Sequence, residues 1–215
     1  MDRYITTPIT AEVTKELCAG DYVYITGTLY VARDAAHQRL IKALDKEEAE
    51  FCSQLSDRDK NNRSLTRREK EALHEKLRET LPFPIMDASI YYMGPSPARE
   101  GRPIGSAGPT TASRMDKYAP RLLDLGQKAM IGKGKRTREV IDAIIRNQAV
   151  YFAAVGGAGA LLSKCIKKSE LVCYEDLGAE AVLKLEVENF PVIVVIDSEG
   201  NNLYETAVRQ YAKII

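Results

Sequence analysis

Hydrophobic and polar positions along the chain alternate between two periods. Residues 22–31, YVYITGTLYV, are rich in β-branched and aromatic types around one glycine, which predicts a strand or a strand pair bent at Gly27. The following run, ARDAAHQRLIKALDKEEAEF, carries Ala36, Leu40, Ile41 and Leu44 at helical spacing, with Asp34 placed to cap the helix. After LPFP comes a strand in IMDASIYYMG, then the Pro- and Gly-rich loop PSPAREGRPIGSAGP. From there the order is regular: a helix at 110–125, a strand KAMI, a helix TREVIDAIIRN with Val140, Ile141, Ile144 and Ile145 on one face, and a strand AVYFAAV. A Gly-rich turn and helix lead to a strand ELVCYE, a short helix near 178–185 and the strand PVIVVID. Such alternation predicts an α/β fold, mixed sheet layers covered by helices. The β-rich first quarter adds a second layer of strands, giving a β/β/α arrangement. No period of 20–50 residues repeats, so solenoids and propellers are excluded.

Between 45 and 80 the pattern is interrupted. In this stretch 19 of 36 residues are Asp, Glu, Lys or Arg, against 28% for the whole chain, so it is a solvated excursion. Its second half, TRREKEALHEKLRETL, opens with a capping box from Thr66 to Glu69 and spaces Leu73, Leu77 and Leu81 four apart. One narrow face can therefore dock. Two roles stay open for it: an exposed helical hairpin serving solubility, and a partner-binding arm.

Composition changes this picture little but excludes several classes. The 31 Lys and Arg against 30 Asp and Glu leave no basic excess of the kind that tracks nucleic acid. The longest apolar stretch, AVYFAAVGGAGALL at 149–162, is shorter than the ~20 residues that cross a bilayer and contains three glycines. The start, MDRYITTPIT, has no apolar signal core, which points to the cytoplasm and away from a membrane. Cys18, Cys52, Cys165 and Cys173 are scattered, without a C-x-x-C pair, and predict no metal site in this chain.

The candidate chemistry is anion binding. GPTTASRMDKYAP, 108–120, gathers two threonines, a serine and an arginine at a predicted helix entrance, where unpaired N–H groups attract carboxylates and phosphates. If both are helical, Thr110 and Arg114 share a face; alternatively Thr110 or Thr111 caps the helix and Arg114 is solvated. GKGKR, 132–136, follows the strand AMI, beyond whose carboxyl end ligands of α/β sheets commonly bind; otherwise it is a turn of solvated lysines. In RDAAH, 33–37, Arg33 can clamp a carboxylate through two parallel hydrogen bonds or serve as an ordinary salt-bridging residue. VGGAGALLSK lacks the G-x-x-x-x-G-K-[ST] pattern and fails the dinucleotide fingerprint at Leu162. Neither a G-x-S-x-G elbow nor an H-E-x-x-H occurs. The chain carries anion clamps without an evident catalytic engine.

Taken in order, GTLYVARDAAHQRL, IYYMGPSPAREGRPIGSAGPTTASRMDKY, MIGKGKR, YFAAVGGAGALL and YEDLGAEAVLKLEVENFPVIVVIDSEGN resemble the β subunit, or C-terminal domain, of class I fumarate hydratases and L-tartrate dehydratases. The likeness runs over nearly the whole chain, 1–215 read as one domain, except a charged helical insertion at about 48–80, where that family typically has a short loop. It implies a swivelling β/β/α domain closing over a [4Fe–4S] cluster held by a partner α subunit, one iron acting as Lewis acid on the substrate hydroxyl. It further implies that Arg33, Arg114 and Lys133 bind the carboxylates of a C4 dicarboxylate. Thr110 matches the residue proposed to take the C3 proton, a role a threonine hydroxyl fills only when nearby cations lower its pKa. The expected activity is reversible hydration of fumarate to malate in an α2β2-type heteromer, with the chain inactive alone. Tartrate dehydration and a non-catalytic dicarboxylate-binding or assembly subunit are the alternatives.

Overall fold

The computed structural model of the protein describes residues 2–55 and 65–211. Its elements are β1 (Asp2–Thr6), α1 (Ala11–Lys15), β2 (Tyr22–Val31), α2 (Asp34–Leu55), α3 (Arg67–Thr80), β3 (Ser89–Tyr91), α4 (Ala119–Asp124), β4 (Ala129–Gly132), α5 (Arg138–Asn147), β5 (Val150–Ala153), α6 (Gly159–Cys165), β6 (Ile166–Cys173), β7 (Val182–Ile196) and α7 (Leu203–Tyr211). Short 3-10 turns lie at Ala112–Met115 and Glu175–Glu180. The fold is mixed α/β. Among the described residues no helix is long and apolar enough to cross a membrane.

All strands join one sheet in the order β1-β2-β3-β4-β5-β7-β6, with β2 also paired to β7. β2 and β7 run antiparallel from Tyr22↔Ile193 to Val31↔Leu183, which occupies one edge of β2 along its length. Its other edge is shared by β1 at Tyr22–Thr26 and by β3 at Tyr30 and Val31, both parallel. β7 likewise gives its far edge to β6 in its first half and to β5 in its last residues. Strands β2, β3, β4, β5 and β7 therefore close into a ring. β2 is one strand and not two: the expected bend is a bulge at Gly27, φ +117°, where an added Cβ would stand 2.3 Å from Thr7 Oγ1.

Alternation along the parallel strands separates two cores. Ile90, Tyr92, Met130 and Tyr151 face the helices, joining Leu40, Leu44, Leu122, Val140 and Ile144. Tyr91, Ile131, Val150 and Phe152 point the other way, onto Val23, Leu29, Leu185, Phe190 and Val194 of β2 and β7. Strands buried on both faces read as near-continuous apolar runs, which is why AMIG and VYFA lack a polar face.

The charged segment docks on the chain's own core. The capping box is present, with Thr66 Oγ1 accepting from Glu69 N–H and the Glu69 carboxylate accepting from Thr66 N–H. Leu73, Leu77 and Leu81 are buried in the cluster that holds Leu40 and Leu44. Charges frame the contact: Lys76 pairs with Glu47 at 2.7 Å, Arg121 with Asp45 and with Glu48, and Arg78 donates to the Leu125 carbonyl at 2.8 Å. Residues 56–64 of the charged segment, expected to be an insertion, lie outside the described residues.

Candidate functional site

The site forms where β2, β3 and β4 end side by side. Beyond Tyr91, the Tyr92 N–H donates to Ile131 O, and the long loop after Gly94 returns to make the Met93↔Pro109 bridge. Thr110 then inserts between the strand ends: its N–H donates to Tyr92 O at 2.8 Å, and its carbonyl accepts from Lys133 N–H at 3.2 Å. Ala112 N–H donates back to Lys133 O at 2.8 Å.

These bonds explain why the helix predicted over 110–125 does not form. The Thr110 carbonyl, which a helix starting there would offer to Arg114 N–H, is instead spent on Lys133 N–H, and the chain makes only the 3-10 turn Ala112–Met115. Pro120 then sits in the first turn of the separate helix α4. Thr110 and Arg114 are consequently not helical neighbours. Thr111 occupies the N-cap of the 3-10 turn without a side-chain bond, and the Thr110 hydroxyl makes no hydrogen bond among the described residues.

Arg33 follows β2 by two residues and crosses Gly94, where an added Cβ would stand 2.5 Å from its Nη1 and 2.9 Å from Ala179 O. Its Nη2 lies 3.3 Å from Glu180 Oε1, and Glu180 Oε2 accepts from Ala35 N–H at 2.9 Å. Asp34 therefore does not cap α2; it sits in the first turn, 3.5 Å from Arg114 Nη1. The structure thus joins Thr110 to Lys133 through the backbone and Arg33 to Arg114 through Asp34 and the α2 start. Residues Tyr92 to Gly94 connect the two pairs. All four candidate residues occupy the same end of the sheet.

Beneath them lies a buried polar cluster that sequence reasoning missed. Arg136, read as part of a basic turn, is fully buried and donates from Nε to Asp116 Oδ1 at 2.7 Å, while Asp116 Oδ2 accepts from Thr137 N–H at 2.7 Å. Its guanidinium lies 5.4 Å from the Tyr92 ring centroid and 4.9 Å from that of Tyr151. Burial pushes both phenols up, keeping them neutral. His37 is also fully buried, with Nδ1 2.9 Å from Arg33 O. A carbonyl only accepts, so Nδ1 carries the proton. Nothing in GKGKR distinguishes Arg136 from Lys133 or Lys135; only the tertiary fold does.

Burial lowers the His37 pKa to about 4, below the ~6.5 of an unfolded imidazole. Between those values the unfolded chain binds a proton that the folded chain refuses. Stability is therefore intact above about pH 6.5 and falls as the pH drops toward 4, by roughly 2–3 kcal/mol at about pH 4.5. Urea unfolding at the two pH values measures this loss, and a His37→Gln variant should show a shallower slope. An unchanged slope in that variant contradicts the assignment.

Chemically, the strand ends present two guanidinium groups, an ammonium and a hydroxyl without a hydrogen bond among the described residues, an arrangement suited to an anion with more than one carboxylate. Cavities flank this edge: one of about 480 Å³ beside Arg114, Lys117 and Thr137, another of about 300 Å³ between Arg99, Arg102 and Lys164. Among the described residues no group of three or more His, Cys, Asp or Glu is placed to hold a metal ion.

Fold and site define an α/β protein with a cationic edge at the carboxyl ends of its parallel strands. The chain belongs to the fumarase C-terminus family, whose model matches residues 3–59 and 64–207. Its relatives include the anaerobic class I fumarate hydratase of Escherichia coli, 37% identical over 188 residues that cover 86% of this chain and 29% of the relative. Fumarate hydratase 2 of Leishmania major is 34% identical over 86% of this chain and 28% of its own length. A Methanocaldococcus jannaschii protein named "Putative L(+)-tartrate dehydratase subunit beta" is 33% identical over 208 residues, 94% of this chain and 91% of that protein. The chain spans under a third of the two fumarate hydratases and nearly the full length of the third relative.

Proposed function

We propose that this chain is the β subunit of an iron–sulfur hydro-lyase that interconverts fumarate and malate, completed by an α subunit that brings the [4Fe–4S] cluster. The observation that carries the proposal is the placement of Arg33, Thr110, Arg114 and Lys133 at one end of the sheet, from three separate segments of the sequence. In this reading the whole chain is one swivelling β/β/α domain, supported by the two cores on either side of the parallel strands. An α2β2-type assembly in the cytoplasm is the proposed setting.

Arg33 and Arg114 hold substrate carboxylates by charge-assisted hydrogen bonds, and Lys133 adds a third cation. Thr110 Oγ1 takes the C3 proton in the dehydration direction and returns it on hydration. Among the described residues its hydroxyl has no competing hydrogen bond, and its backbone is fixed to Lys133, whose charge favours the alkoxide. Dehydration of tartrate is the second reading, favoured by the relative named as a separate β subunit of nearly equal length.

Anaerobic reconstitution with the α subunit, assayed on fumarate, malate and both tartrates, tests the proposal. Interconversion of fumarate and malate is expected. Turnover of tartrate alone selects the second reading, and no turnover of any of them overturns both.

A further inference from the structure

Arg33 is held from two sides by a segment far away in sequence. The 3-10 turn Glu175–Glu180 is stapled to α2 by Arg39, which donates to both Asp176 carboxylate oxygens at 2.7 and 2.5 Å and lies over the Tyr174 ring. At the end of that turn, Glu180 divides its carboxylate between Arg33 Nη2 and Ala35 N–H. The Ala179 carbonyl and Gly94 then wall the channel in which the Arg33 stem lies. We infer that Glu180 is a positioning residue, fixing the direction of the Arg33 guanidinium so that it meets the substrate carboxylate already ordered. This rests on the proposed role of Arg33.

A carboxylate beside a substrate-binding arginine has two opposed effects. It orders the side chain, and it competes with the substrate for the positive charge. Ordering prevails here for two reasons. Only Nη2 faces Glu180, at 3.3 Å, while Nη1 lies along Gly94. The Glu180 charge is also partly neutralised at the amino end of the 22-residue helix α2, where its Oε2 accepts from Ala35 N–H. Freeing one long side chain should weaken binding roughly three- to tenfold.

The test is a double-mutant cycle in the reconstituted complex, with Glu180→Gln and Arg33→Ala alone and combined. Glutamine keeps an oxygen for Ala35 N–H and so preserves the α2 start. Glu180→Gln should raise KM for fumarate roughly three- to tenfold with kcat less affected, and should leave kcat/KM unchanged when Arg33 is already alanine. An unchanged or lowered KM overturns the inference. So does an equal loss in both backgrounds, which would mark a structural role only. Wild-type turnover with either result removes this inference alone, whereas an inactive wild-type complex removes the function on which it rests.

Discussion

Arg114→Ala in the assembled enzyme lowers kcat/KM for fumarate roughly 100- to 1000-fold and moves the unfolding midpoint by no more than about 4 °C. The two halves of this expectation come from the same geometry. The Arg114 side chain is 55% exposed, and its contact with Asp34, at 3.5 Å between exposed partners, is of the kind that contributes about 0–1 kcal/mol. Its removal costs the folded chain little. In the proposed function the guanidinium meets a substrate carboxylate stripped of water, and truncating one partner of such a pair typically costs about 2–5 kcal/mol. Arg114→Lys should recover part of the loss, because an ammonium keeps the charge without the two-pronged hydrogen bonding. Steady-state kinetics and a thermal melt on the same preparation check both halves. Wild-type turnover in Arg114→Ala removes the residue from the site.

Asp116→Ala should have the reverse profile, a loss of stability first. Its carboxylate is the partner of a fully buried guanidinium and the acceptor for Thr137 N–H at the start of α5. Removing one member of a buried ion pair leaves an uncompensated charge and costs about 3–5 kcal/mol. For a chain of this size that corresponds to a midpoint lower by roughly 6–20 °C. Asp116→Asn, which keeps an acceptor for Thr137, should fall between it and the wild type. Replacing Arg136 by methionine alongside Asp116→Ala should restore much of the loss, since the stranded charge is then gone. Equal melting of Asp116→Ala and wild type would show that the pair does not support the floor of the site.

The elements with a strong internal period were legible from the chain. TREVIDAIIRN forms α5 with Val140, Ile141 and Ile144 buried, although Ile145, expected on the same face, is exposed, and the Thr66–Glu69 box opens α3. The likeness in the motifs singled out Arg33, Thr110, Arg114 and Lys133, and the fold brings them to one end of the sheet. Thr110 and Arg114 nevertheless reach the same edge without a shared helical face: Thr110 pairs with the strand ends and Arg114 lies in the 3-10 turn that follows. The two roles left open for the charged segment were both too narrow. Leu73, Leu77 and Leu81 do dock, but onto Leu40 and Leu44 of the same chain.

What the sequence determined by itself is what a few neighbouring residues enforce in the strongly periodic segments: most of the strands and helices, the α3 capping box, the bulge glycine, and which side chains carry charge; the helices expected over 110–125 and near 178–185 were not among them. Backbone sterics and side-chain spacing act within one or two turns, so their signature is local and readable. Partnership across the molecule was decided only by the tertiary structure. That β7 closes the ring on β2, that Arg136 is buried while Lys133 is exposed, and that Glu180 reaches Arg33 all depend on which surfaces meet after folding. Burial and ion pairing are properties of those meetings, and no single segment contains both partners.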